Sequence, residues 1–135
     1  MFTGIAHVCF NVKSLDTMLN FYVNKLGCKK AFDFLDEHGK VCGFYIHIGG
    51  RTFIEMFRRN NLTPSAEQQN YAHLSIEVDD IQADTARLKN NGVAIGEISM
   101  GGDNTYQVWF ADPEGNQIEL HQYTPQSWQT PHLIK

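Results

Sequence analysis

Cysteine is scarce and unpaired in this sequence: Cys9, Cys28 and Cys42 are odd in number and show no Cys-x-x-Cys spacing. That excludes a disulfide framework and a thiolate metal site, and leaves free buried thiols in a reducing compartment as the expectation. Basic residues are also few, 11 Lys and Arg against 15 Asp and Glu for a formal net charge of −4, and the two signs are interspersed. Without a stripe of Lys and Arg to neutralise phosphates, nucleic acid is excluded as a partner. No apolar run approaches the about 18 residues of a membrane span. The opening MFTGIAHVCF lacks the basic region and long apolar region of a secretory signal. A soluble, cytoplasmic protein is expected. No stretch is low in complexity or rich enough in Pro and Ser to read as a linker.

What the sequence does have is material for a core, with 42% apolar residues in a chain of 135. A chain of this size buries roughly 65 to 70% of its unfolded surface without cross-links. One domain over residues 1–135 is expected. It comprises a first module at about 3–60, a second at about 70–123, and an irregular tail from 124 to 135, TPQSWQTPHLIK, that Trp128 docks.

The modules follow one plan. GIAHVCFNV and YAHLSIEV each alternate apolar and polar residues, the signature of a half-buried strand. Val8, Phe10 and Val12 fall on one face and His7, Cys9 and Asn11 on the other; Leu74, Ile76 and Val78 likewise oppose His73, Ser75 and Glu77. A helix follows each strand. Ser14 can cap the first, whose apolar face is Leu15, Met18, Leu19, Tyr22 and Leu26, with Gly27 ending it. Asp79 and Gln82 have capping-box spacing for the second, with Ile81, Thr85 and Leu88 as its stripe and Gly92 closing it. Strands are then expected at 41–48 and 52–57 around the turn GGR, and at 106–111 and 117–123 around DPEGN, where Pro113 and Gly115 supply turn chemistry. Weaker strands at 30–36 and 94–99 complete two βαβββ modules, an α+β fold arising by internal duplication.

The same alternation locates the chemistry. Ile54 and Met56 point to the core, so Phe53, Glu55 and Phe57 point away; Ile118 and Leu120 point to the core, so Gln117, Glu119 and His121 point away. His7 and His73 are 66 positions apart and Glu55 and Glu119 are 64 apart, as a duplication requires. If the half-sheets curve toward each other, these four side chains converge. Two imidazoles and two carboxylates suit a borderline divalent cation such as Ni, Co, Zn, Mn or Fe(II), with room for two open positions. His47 and His121 are further candidates near the site, to orient substrate or support a ligand, while His38 and His132 receive no role.

From Ile5 to Tyr123 the chain resembles the vicinal oxygen chelate superfamily, the glyoxalase, bleomycin-resistance and extradiol-dioxygenase group. The resemblance rests on AHVCFNV followed by FYVNKLGC, on FIEMF, on YAHLSIEVDDI and on FADPEGNQIELHQ. It implies two βαβββ modules in a curved mixed sheet around one divalent metal, usually in a homodimer whose active sites are often built across the subunit interface. Extradiol dioxygenases and fosfomycin thiol transferases resemble the chain at His7, His73 and Glu119 and use only those three ligands. Methylmalonyl-CoA epimerases have a glutamine where Glu55 stands. Glu55 makes the set look like that of lactoylglutathione lyases, and a first ligand of His on a short chain is similar to the Ni- or Co-activated bacterial lyases. Two positions depart from that branch: Asn11 stands where it carries an Arg that holds glutathione, and Arg59 where it carries an Asn.

The resemblance and the residues together imply a metal-dependent isomerase or lyase acting on a small hydroxy-carbonyl or hemithioacetal substrate. A metal-bound substrate would lose a proton next to its carbonyl and pass through an enediolate. Glu119 is the expected base, with Glu55 the alternative. Phe53, Phe57 and Trp109 would line the pocket, although the pattern leaves Trp109's face open; Asn11, Arg58, Arg59 and His121 would meet polar groups of the substrate. Two other readings are an Fe(II) dioxygenase of the extradiol type and a non-catalytic protein that binds a drug.

Overall fold

The structure, a computed structural model, describes residues 4–60 and 71–133. The predicted boundaries at 3 and 70 and the last two residues of the predicted tail lie outside the described residues. The chain divides into two units, Met1–Gln68 and Gln69–Lys135.

In the first unit the alternating segment becomes strand β1, His7–Val12, with Phe10 and Val12 buried and His7, Cys9 and Asn11 on the other face. Ser14 caps helix α1, Leu15–Leu19, its Oγ accepting from the Thr17 amide at 3.2 Å. The chain then passes into a π-helix, Asn20–Lys25, closed by a bond from the Leu26 amide to the Phe21 carbonyl. Each i→i+5 turn takes in an extra residue. Phe21, absent from the 3.6-residue stripe, is therefore buried beside Tyr22, while the predicted Leu19 is only half-buried. Gly27, at φ 84°, ends the helix, with the Cys28 amide bonded to the Tyr22 carbonyl.

Strands β2 (Lys29–Leu35), β3 (Val41–Gly49) and β4 (Thr52–Arg58) complete a sheet of order β1-β4-β3-β2, with β1 and β4 parallel and the other pairs antiparallel. The helical segment covers one face, where Phe44, Ile46, Ile54 and Met56 are all but inaccessible. Each such side chain contributes about 1.5–3 kcal/mol of transfer free energy. The opposite face carries His7, Tyr45 and Glu55.

The second unit repeats the topology. Strands β5 (Leu74–Glu77), β6 (Ser99–Met100), β7 (Tyr106–Ala111) and β8 (Gln117–Gln122) form a sheet of order β5-β8-β7-β6, with β5 and β8 parallel. The α+β fold expected from the sequence stands, with corrections in detail. Strand β5 starts after His73, which flanks it rather than belonging to it. Helix α2, Ile81–Asn90, is capped by Asp80, whose Oδ1 accepts from the Ala83 amide at 2.9 Å, so the cap falls one residue later than Asp79. That register puts Ile81, Thr85 and Leu88 inside. The strand predicted at 94–99 shrinks to β6 and a single bridge between Ile95 and Phe110. In the turn between β7 and β8, Asp112 does as much as Pro113 and Gly115: its carboxylate accepts from the Glu114 and Asn116 amides at 3.0 Å each. No helix among the described residues is long and apolar enough to cross a membrane.

The tail docks, but not through the Trp128 ring, which stands 68% exposed; the Trp128 amide donates to the Asp103 carbonyl at 3.0 Å. Polar groups hold it instead. Ser127 and Thr124 donate to the Asn104 carbonyl at 2.8 and 2.7 Å, and the Gln129 amide donates to Asp103 Oδ2 at 2.6 Å. The hydroxyl of Thr105, followed by the Gln129 amide, lowers the Asp103 pKa to about 2. An unfolded aspartate titrates near about 3.9, so this group stabilises the folded unit above that pH and loses its contribution as pH falls toward about 2. Asp103→Asn should therefore melt at a lower temperature than the native chain at pH 7 and show a shallower further drop between pH 4 and 2. Parallel melting curves for the two proteins across that window would remove Asp103 from the docking.

Candidate functional site

Register decides which side chains meet. In the first sheet β1 sets Cys9 against Glu55 of β4 and β3 sets Tyr45 against Glu55 on its other side, with His7 two residues before Cys9. In the second, β5 sets Ser75 against Glu119 of β8 and β7 sets Trp109 against it, with His73 two residues before Ser75. The two neighbourhoods are therefore equivalent position by position, with Tyr45 and Trp109 in matching places.

The geometry repeats too. His7 Nε2 lies 3.5 Å from Glu55 Oε2, and His73 Nε2 lies 3.5 Å from Glu119 Oε2. Two donors each about 2.1 Å from one ion at a tetrahedral angle stand roughly 3.4 Å apart, so each pair has the spacing of two ligands of a divalent ion. Each unit by itself supplies one nitrogen and one oxygen donor. Among the described residues no group of three or more His, Cys, Asp or Glu has the spacing to hold a metal.

The surroundings of the pairs differ. Around Glu119 the Oε1 atom meets His121 Nδ1 at 3.2 Å, and its side chain is 8% exposed. Around Glu55 the partner is Cys9, and the side chain is 16% exposed. Cys9 is exposed as a residue, which corrects the expectation of a buried thiol. Its thiol nonetheless loses water and donates to Glu55, and these effects with the Glu55 charge push its pKa up to about 11. Cys9 is thus held as a neutral thiol beside Glu55. Loss of water, followed by the Glu55 charge, also raises the Tyr45 phenol.

Tyr45 and a ring cluster around it escaped the sequence reading. Its hydroxyl lies 2.9 Å from His7 Nδ1. Its ring stacks on Phe32 at 4.8 Å and meets Phe34 and Phe53 at 5.7 and 5.5 Å, and Phe34 meets Phe57 at 5.0 Å. The signal for Tyr45 was present: Phe44 and Ile46 on the core side force Tyr45 to the other. The predicted Phe53 and Phe57 belong to this ring surface. Trp109 takes the Glu119 face, edge-on to His73 at 4.7 Å. Other candidates are occupied within the protein. Arg59 Nε donates to Asn11 Oδ1 at 3.1 Å, Arg58 to the Val41 carbonyl at 3.4 Å and His47 Nε2 to the Gly50 carbonyl at 3.0 Å.

Comparison with known proteins gives these pairs a context. Residues 4–120 match the family model of the glyoxalase/bleomycin resistance protein/dioxygenase superfamily. The chain is 31% identical over 125 residues to the metallothiol transferase FosB of Staphylococcus epidermidis, covering 88% of this chain and 81% of that one. It is 27% identical over 128 residues to the metallothiol transferase FosB of Shouchella clausii, covering 90% and 81%. Among solved structures it is similar to a glyoxalase family protein from Enterococcus faecalis, at TM-score 0.75 and 26% identity over 89% of this chain and 98% of that one. It is also similar to TnmS3, an antibiotic binding protein from a Streptomyces species, at TM-score 0.74 and 25% identity over 91% and 98%. A family match over most of the chain, with a relative at 31% identity, joins the repeated sheet topology in one conclusion: the chain belongs to the glyoxalase/bleomycin resistance protein/dioxygenase superfamily.

Proposed function

We propose that the chain is a metal-dependent enzyme in which His7, Glu55, His73 and Glu119 serve as ligands of a divalent ion, Ni or Co in preference to Zn, Mn or Fe(II), and that it catalyses an isomerase or lyase reaction on a small molecule with two neighbouring oxygens. The observation that carries this reading is the His–Glu pair found twice, at 3.5 Å and at the same register in both units. An ion held by these donors supplies Lewis acidity to a substrate carbonyl. Glu119 is the base expected from the sequence, but Glu55 is the more exposed and is bonded by the Cys9 thiol rather than by His121, which supports Glu55 in its place as the carboxylate that takes a proton from carbon and returns it to the adjacent carbon. Glu119 is held on both oxygens by His73 and His121, as suits a ligand that stays in place. The ring surface of Phe32, Phe34, Tyr45, Phe53 and Phe57 excludes water on one side of His7 and Glu55. A homodimer and a cytoplasmic location belong to the same reading.

A second reading, transfer of a thiol to a small electrophile, is favoured by the metallothiol transferases at 31% and 27% identity. Elemental analysis of protein prepared without chelators, alongside His73→Ala, tests what the two readings share. About one equivalent of metal, lost in the variant, is expected. Turnover of hemithioacetals and hydroxy-ketones against thiol consumption with fosfomycin then separates them. A chain that takes up no ion after reconstitution overturns both and leaves the aromatic surface as a binding site for an apolar ligand.

A further inference from the structure

We propose that Tyr45 is a positioning residue for His7, one that holds the imidazole in the same plane before and after metal is bound; the inference rests on the metal reading above. The two ring nitrogens of His7 face different partners. Nε2 points to Glu55 Oε2 at 3.5 Å and Nδ1 to the Tyr45 hydroxyl at 2.9 Å. A neutral imidazole carries one N–H and one lone pair, so it satisfies these partners in two ways. Without an ion, Nε2–H faces the Glu55 carboxylate and Nδ1 accepts from the Tyr45 O–H. With Nε2 committed as a ligand, its lone pair is used and the proton must reside on Nδ1, which then donates to the Tyr45 oxygen.

A hydroxyl serves both states because it donates and accepts. A carboxylate or carbonyl at that place would only accept, and the metal-free ring would have to turn to find a partner. Tyr45 can act this way because its own ring cannot wander. Phe32 stacks on it at 4.8 Å with planes 16° apart, and Phe34 and Phe53 pack at 5.7 and 5.5 Å. Among the described residues the second unit lacks the device. Trp109 occupies the matching position, but its Nε1–H donates to Gln107 Oε1 at 3.2 Å and its ring meets His73 only edge-on. No hydroxyl partner is found for His73 Nδ1 among the described residues. Among the described residues the first histidine is thus oriented at Nδ1 by a hydrogen bond, while the second has only its Glu119 pair at Nε2 and the edge of Trp109.

Tyr45→Phe keeps the ring and removes only the oxygen. Titration of the full-length metal-free chain with Zn²⁺ is expected to show roughly 10–100-fold weaker binding in this variant than in the native protein, with melting unchanged. Imidazole ¹⁵N spectra, with His7 assigned by His7→Gln, add a readout that packing would not move. The His7 proton should sit on Nε2 in the native metal-free protein and on Nδ1 once zinc is added, and Tyr45→Phe should lose the single metal-free tautomer. Native protein that binds zinc no more tightly than Tyr45→Phe overturns this inference and leaves the metal reading standing. A native chain that binds no zinc overturns both. Should the variant fail to fold, the native spectra decide alone: a His7 proton that stays on Nε2 after zinc is added refutes the role.

Discussion

Glu55→Gln should weaken metal binding and slow isomerase turnover by about 10²–10⁴, while the chain melts as before. The substitution keeps the shape of the side chain and the oxygen that accepts from Cys9, and removes the charge that faces His7 at 3.5 Å. A neutral amide is a weaker ligand for a divalent ion than a carboxylate and cannot take a proton from carbon. Glu119→Gln should remove metal altogether, because this side chain is 8% exposed and is shared by His73 at 3.5 Å and His121 at 3.2 Å. The pair of variants separates the two chemistries. A four-ligand enzyme fails with either change, whereas a thiol transferase using three ligands tolerates Glu55→Gln and fails only with Glu119→Gln. Metal content by elemental analysis and kcat with each substrate class are the measurements. Full metal and full isomerase activity in Glu55→Gln would take Glu55 out of the site.

The largest structural effect is expected from Gly43→Val. A Cβ at position 43 would lie 2.5 Å from the Met56 carbonyl oxygen and 2.6 and 2.8 Å from two carbons of the Phe57 ring. The ring could swing aside, but the carbonyl belongs to β4 and cannot retreat without opening the β3–β4 ladder, where Gly43 pairs with Phe57. Overpacking of this kind costs about 1–3 kcal/mol, and a β-branched side chain belongs at the upper end. Urea unfolding should show a lowered midpoint. The Phe34–Phe57 contact at 5.0 Å should be lost, altering the near-ultraviolet circular dichroism. Adding Phe57→Ala should recover only part of the stability, because the carbonyl clash persists when the ring is gone. An unchanged midpoint in Gly43→Val would mean that β3 and β4 do not approach as closely as described.

Much of this protein was legible in its sequence because strand alternation is local. The pleat sends successive side chains to opposite faces, so Phe10 and Val12, or Ile54 and Met56, announce their burial and send His7 and Glu55 the other way. The repeat of His, helix and Glu across 64 to 66 positions needed no more than counting. The glycines at 27 and 92 likewise ended helices where the pattern placed them.

What tertiary structure alone decided are the features in which a residue answers to a distant partner. The helix widens into a π-turn because Phe21 is drawn into the same core as Tyr22, which a 3.6-residue period cannot show. The tail is held by Asp103, Asn104, Ser127 and the Trp128 amide rather than by the Trp128 ring, since polar groups seek bonds whereas an indole can remain at the surface. Tyr45 reaches His7 across 38 positions only because β4 lies between β1 and β3 in the sheet. Alternation assigns each side chain to a face; the strand order and register, set by packing over the whole unit, decide which side chains on that face are near enough to share a proton or an ion.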